Sequence, residues 1–550
     1  MSQHSVDMEQ SRRPHLKSLA HRGFIRGVTI SCKATDTPLC HFYGGVRYGL
    51  APSERWRRAS PLPTTYTYGT KEEPGICDKG AGVCPQPGYR GRPDTRRWTE
   101  DCFQCNISVP VGEPPSGGWP VFVFFHGGWL QFGTPNAFSV ASMLGETAFR
   151  CVVVMPAYRL NVFGFLYSSE LKQDAVSADE TVGNYGFWDQ RLALEWTKDN
   201  IHLFGGNPSN ITISGYSAGA YSVFYQLAYD LCLPEDKEIV KQACIWSNGP
   251  GVQPKAPSET QTQFNQLLSA VNISHSLSPA EKLTRLRAIP AKTLLRAATS
   301  IGIHQFRPTT DSAFIPLTLF ASLDNGDFAQ KLSARNVRII LGECRDEHYL
   351  YSIWFPPAQN SLSALRQRLI ADYPRRVVDT LIKLYYPDSE LPPDCKRWDS
   401  DAFGRIYADM QVHKLQRGLV YSLAAHGASH LLYRYRIEYR VKCVDKYVPP
   451  EWGVTHSTDQ YIWFWGNGDV LQPEEKDVVQ STFIDPLVKF VNGEVNIGWG
   501  TTNYREMRRL KPDGTFEIWD DGMWEDGLRV WRALREVNAS VGFDTEHAKL

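Results

Sequence analysis

The chain has 550 residues, 42% of them hydrophobic, with Lys plus Arg and Asp plus Glu at 59 each. That length and apolar content bury a large core, and the even charge balance excludes the electrostatic footprint of a nucleic-acid or anionic-membrane binder. No apolar run is long enough to span a membrane, so the expectation is one domain over residues 27–550 behind a polar amino-terminal extension, 1–26.

The extension lacks the apolar stretch of a signal peptide, which points to a cytoplasmic protein. Beyond it, a Pro/Gly loop from Pro110 to Gly118 precedes the apolar run Phe122 to Phe125. Further β-rich runs follow at Cys151 to Met155, Ile211 to Ile213, Val337 to Leu341 and Leu431 to Ile437, and they alternate with longer helical-looking segments. This alternation predicts an α/β fold, a mostly parallel central sheet covered by helices. Two polar, helix-like insertions, Thr260 to Ala298 and Ser361 to Leu423, are expected to form a cap around a site at the sheet.

Two turns carry chemistry. The strand Val121 to Phe125 runs into His126-Gly127-Gly128-Trp129, where glycines let backbone N–H groups approach a developing oxyanion. After Ile211 to Ile213 comes Gly215-Tyr216-Ser217-Ala218-Gly219, followed by the helical stretch Tyr221 to Leu231. A serine flanked by glycines at a strand-to-helix turn is a nucleophile elbow, and it predicts an acyl-enzyme on Ser217.

Longer stretches make a resemblance plain. Phe42-Tyr43-Gly44-Gly45-Val46-Arg47-Tyr48, Glu100-Asp101-Cys102 with Asn106, Asn184-Tyr185-Gly186-Phe187-Trp188-Asp189-Gln190 and Phe204-Gly205-Gly206-Asn207-Pro208 run in order up to the elbow. Together they resemble type-B carboxylesterases, the cholinesterase-like branch of the α/β-hydrolases. The resemblance implies the α/β-hydrolase fold and a triad in the chain order nucleophile, acid, histidine. Gly342-Glu343-Cys344-Arg345-Asp346-Glu347 resembles the family's G-x-x-x-D-E segment and places the acid on Glu347, with Asp346 as its rival. Gly453-Val454-Thr455-His456 resembles G-V-x-H and makes His456 the general base. The oxyanion hole carried over is Gly128, Trp129 and Ala218, through their backbone N–H groups. Ser247, Asp459 and Tyr216 are expected around this centre. Cys84 and Cys102 look like the family's first disulfide pair.

Two departures narrow the substrate. Tyr216 stands where many relatives have glutamate, so a choline-type alcohol is disfavoured. Trp129 stands where the third glycine of H-G-G-G is usual, so an indole must be housed at the pocket edge. The twelve cysteines include one C-x-x-C, Cys102 to Cys105, without a second pair, so neither a metal nor a cofactor is expected. The leading function is hydrolysis of a small-molecule carboxylic ester, with no nucleic-acid or membrane partner; the sequence fixes no oligomeric state. An acyltransferase or lactone hydrolase using the same triad stays open, as does a non-catalytic cholinesterase-like binding module.

Overall fold

The computed structural model describes residues 10–89 and 94–540; the first nine residues of the expected extension lie outside them. Twelve strands form one sheet: β1 (Gln10–Ser18), β2 (Phe24–Cys32), β3 (Pro38–Arg47), β4 (Gln104–Pro110), β5 (Trp119–Phe125), β6 (Val152–Pro156), β7 (Gly206–Tyr216), β8 (Val240–Trp246), β9 (Arg338–Cys344), β10 (Leu432–Ile437), β11 (Glu506–Leu510) and β12 (Phe516–Asp520). Their order is β1-β2-β3-β4-β6-β5-β7-β8-β9-β10-β11-β12, with a short strand, Gly75–Ile76, beside β2. From β6 to β11 every neighbour runs parallel. The amino-terminal strands are an antiparallel meander, and β12 closes the far edge antiparallel to β11.

Strands β5 and β6 are apolar throughout because both faces are covered. Along β5, Val121, Val123 and Phe125 enter one core, while Phe122 and Phe124 enter a second core on the opposite face. Strand β8 does the same, with Ala243 and Ile245 on the first side and Cys244 and Trp246 on the other. Successive side chains of a strand point to opposite faces, so an uninterrupted apolar run supplies two cores at once.

Residues 10–18, within the stretch read as a polar extension, are instead the edge strand, paired with β2 from Gln10↔Cys32 to Ser18↔Phe24. An edge strand with an exposed outer face is free to be polar, so composition alone reads it as a tail. The first insertion forms helices Pro257–Ala270, Pro279–Arg287 and Ala291–Ser300; the second includes Leu362–Asp372, Arg375–Tyr385 and Lys414–Ala425.

The expected Cys84–Cys102 disulfide is absent: both residues are buried free thiols. The Cys84 thiol donates to the Pro85 carbonyl at 3.8 Å, and Leu160 N–H donates to Cys84 Sγ at 3.4 Å. The neighbouring Cys84 thiol and burial push the Cys102 thiol well above its ordinary range, which suppresses the thiolate that oxidation needs.

Candidate active site

Every group of the site leaves the carboxyl end of a parallel strand, the end where open α/β sheets gather their ligands. Strand β7 ends at Tyr216, and Ser217 then takes φ 57° and ψ −125° before the helix Ala218–Asp230 begins. This strained backbone exposes the hydroxyl and demands small neighbours. A Cβ on Gly219 would sit 1.9 Å from the Phe125 carbonyl oxygen, and one on Gly215 would sit 2.3 Å from Gly219. Ser217 N–H donates to the Trp246 carbonyl at 2.9 Å, which fastens the elbow to the end of β8.

His456 and Glu347 reach Ser217 from far along the chain. His456 Nε2 lies 2.8 Å from Ser217 Oγ, and Nδ1 lies 2.5 Å from Glu347 Oε2. Glu347 Oε1 accepts the Cys344 N–H at 2.8 Å, so both carboxylate oxygens are held. Asp346 faces elsewhere: its Oδ2 accepts the Val454 N–H at 2.9 Å and it pairs with Arg345 at 3.0 Å. It braces the loop that carries His456 without touching the imidazole.

The surrounding residues also converge. Ser247 Oγ donates to Asp459 Oδ2 at 2.6 Å, and the Tyr216 ring lies against the His456 ring at 4.9 Å. All of these groups are buried. Burial pushes the Glu347 carboxyl up to about 8 and the imidazole down to about 3. Burial, then repulsion from Glu347, pushes Asp459 up to about 7. Two adjacent buried carboxyls cannot both ionise cheaply, and the one in contact with Nδ1 gains most when an imidazolium forms.

The turn after β5 lies beside the elbow. A Cβ on Gly127 would stand 3.0 Å from the Ser217 Cβ. Gly128 has φ 110°, and Trp129 and Leu130 follow at φ 55° and 63°. A tryptophan in this region is strained, and the strain is locked in by its carbonyl, which accepts from Arg307 Nη1 at 2.8 Å and Gln131 Nε2 at 3.3 Å. The N–H groups of Gly128, Trp129 and Ala218 find no acceptor among the described residues. The indole stacks on Trp354 at 4.4 Å and meets the edge of Tyr351 at 5.9 Å. His126 is a packing residue, stacked on Tyr158 at 4.5 Å.

Sequence reasoning missed two neighbours. The Tyr351 hydroxyl lies 3.2 Å from His456 Nε2. It stands one helical turn beyond Glu347, where an aromatic residue reads as core. Arg307 is a lone cation in Phe306-Arg307-Pro308, and only the fold brings it to the Trp129 carbonyl. Among the described residues no cluster of His, Cys, Asp and Glu could hold a metal ion.

The same assembly has relatives. The carboxylesterase family pattern matches residues 15–529. A protein named carboxylic ester hydrolase from Gibberella moniliformis is 45% identical, over 95% of this chain and 97% of its own. An uncharacterized esterase/lipase of Schizosaccharomyces pombe is 37% identical, over 96% and 97%. The crystal structure of Aspergillus niger EstA superposes with a TM-score of 0.71 at 19% identity, covering 96% of this chain and 99% of that one, which shows a shared α/β-hydrolase fold. The chain is a hydrolytic enzyme and belongs to the carboxylesterase family.

Proposed function

We propose that this protein hydrolyses carboxylic esters of small molecules through an acyl-enzyme on Ser217. The observation that carries the reading is the unbroken line from Ser217 Oγ to Nε2 at 2.8 Å and from Nδ1 to Glu347 at 2.5 Å. His456 takes the Ser217 proton as Oγ attacks the ester carbonyl, and Glu347 fixes the tautomer that leaves Nε2 free to accept it. The oxyanion falls to the N–H groups of Gly128, Trp129 and Ala218. The imidazolium then gives its proton to the departing alcohol, and a water activated by His456 returns the acid and free Ser217.

A panel of p-nitrophenyl esters of graded acyl length, with and without an added alcohol, tests this reading. Hydrolysis should proceed without the alcohol, and Ser217→Ala should lower kcat by about a millionfold while the fold survives. Substantial activity in the alanine variant would refute the nucleophile, and turnover only with an alcohol present would make the protein an acyltransferase.

A further inference from the structure

The ring of His456 is met at both nitrogens by one short stretch of chain. Glu347 ends the turn after β9 and takes Nδ1 at 2.5 Å, and the helix His348–Tyr351 that follows carries the Tyr351 hydroxyl to 3.2 Å from Nε2. Leu350 N–H donates to Thr455 Oγ1 at 3.1 Å, which ties this helix to the loop bearing His456. The Tyr351 ring is fixed by three aromatic neighbours: the His456 ring at 4.4 Å, Tyr407 edge-on at 5.4 Å and the Trp129 indole at 5.9 Å. It stands between the imidazole and the turn after β5.

Holding the histidine does not account for this hydroxyl. Nε2 has one lone pair, and Ser217 Oγ at 2.8 Å is the nearer donor to it. At 3.2 Å the phenol is a second donor at a nitrogen that accepts one proton, so its own proton remains available to another oxygen beside Nε2. Burial pushes the phenol well above its ordinary range, which keeps it a donor. Acyl transfer brings such an oxygen to this place. The departing alkoxy oxygen receives the imidazolium proton, so it must come within hydrogen-bond reach of Nε2, along the one direction in which that nitrogen exchanges a proton. Access does not separate the two groups: His456 is 1% exposed and Tyr351 0%, so a path that brings an ester oxygen to one brings it to the other.

We propose that Tyr351 is a catalytic residue, whose hydroxyl donates a hydrogen bond to the alkoxy oxygen as the ester C–O bond breaks. The inference rests on the acyl-enzyme reading above. As the tetrahedral intermediate collapses, the bond from the former carbonyl carbon to the alkoxy oxygen breaks and its electron pair stays on that oxygen. The proton comes from Nε2, and Tyr351 keeps its own. The phenol stabilises the charge that builds before the proton arrives, which matters most for basic leaving groups such as alkoxides; a nitrophenolate departs with little need of a proton.

The test removes only the oxygen. Tyr351→Phe keeps the ring against His456, Tyr407 and Trp129, and kcat/KM, which reports acylation, is measured on ethyl, fluoroethyl, trifluoroethyl and p-nitrophenyl esters of the straight-chain acid that the parent turns over fastest. The alkyl esters are close in size and graded in the basicity of the departing alcohol. The variant's loss should grow with that basicity, and its loss on the ethyl ester should exceed its loss on the p-nitrophenyl ester by about tenfold or more, the scale of a hydrogen bond to a charged group. Because the ratio is read within one preparation, loss of folded protein cancels. An equal loss on every ester would make Tyr351 a positioning residue for the imidazole and overturn the proposal, as would no loss on any. Activity that survives in Ser217→Ala protein would instead remove the acyl-enzyme reading, and this inference with it.

Discussion

Glu347 and Asp346 are chain neighbours, yet only Glu347 faces the imidazole, at 2.5 Å. The sequence motif leaves two candidates because it encodes a spacing; the turn after β9 decides between them by rotating one carboxylate toward His456 and the other toward the Val454 N–H. Under the proposed mechanism Glu347→Gln should lower kcat by about 10⁴-fold, the scale of losing the anion that fixes the tautomer. Asp346→Asn keeps an acceptor oxygen for Val454 and should cost stability of about 1 kcal/mol with kcat near that of the parent. Kinetics on a p-nitrophenyl ester, read beside the melting temperature, check both; similar kinetic losses at the two positions would contradict the assignment. Ser217 and His456 stand out in the sequence because each sits in a rigid local turn whose glycines the geometry requires. Tyr351, in contact with the same imidazole, carries no such local mark.

At the scale of elements, the turn after β5 carries Trp129 where the family resemblance leads to a third glycine. The Trp129 backbone holds φ 55° because Arg307 and Gln131 pin its carbonyl, while its indole fills the space beside Trp354 and Tyr351. Glycine tolerates this φ and keeps the N–H. Trp129→Gly should therefore leave kcat/KM on a small acetate ester within about tenfold of the parent and raise it on tertiary-alcohol esters. It should also lower stability by about 2–4 kcal/mol, the lost burial less the relieved strain, as read by urea unfolding. A loss of about a hundredfold on the acetate ester, the scale of one oxyanion donor, would mean that the indole is needed to shape the turn. The apolar strands around this turn were legible because both of their faces are buried. Strand β1 was not, because Gln10–Ser18 has polar, exposed positions and pairs on one edge only.

Across the whole molecule, the centre rests on a buried ion network that no local pattern announces. Glu343, fully buried on β9, meets Arg417 at 2.8 Å, His413 at 2.9 Å and also Arg436. Arg417 continues to Asp521 at 2.8 Å, and Asp521 to Arg434 at 2.6 Å. The network joins β9, β10, the helix Lys414–Ala425 and the segment after β12, four places separated in sequence; each arginine alone reads as a surface residue. Its cations hold Glu343 well below the usual carboxylate range despite burial. A depressed carboxylate contributes stability above its unfolded value, and that contribution is lost as pH falls through the folded value. Glu343→Gln should therefore cost about 3–5 kcal/mol at neutral pH by stranding Arg417 and Arg436, and should flatten the fall in melting temperature below about pH 4.5. A variant as stable as the parent would show the network to be dispensable.

The central claim is a covalent intermediate on one serine, and the most direct measurement is peptide mapping by mass spectrometry after reaction with a fluorophosphonate. The account predicts one adduct per chain, on the peptide carrying Ser217, with no adduct in His456→Ala protein over the same time. Modification of another serine, or equal labelling of the His456→Ala variant, would contradict it.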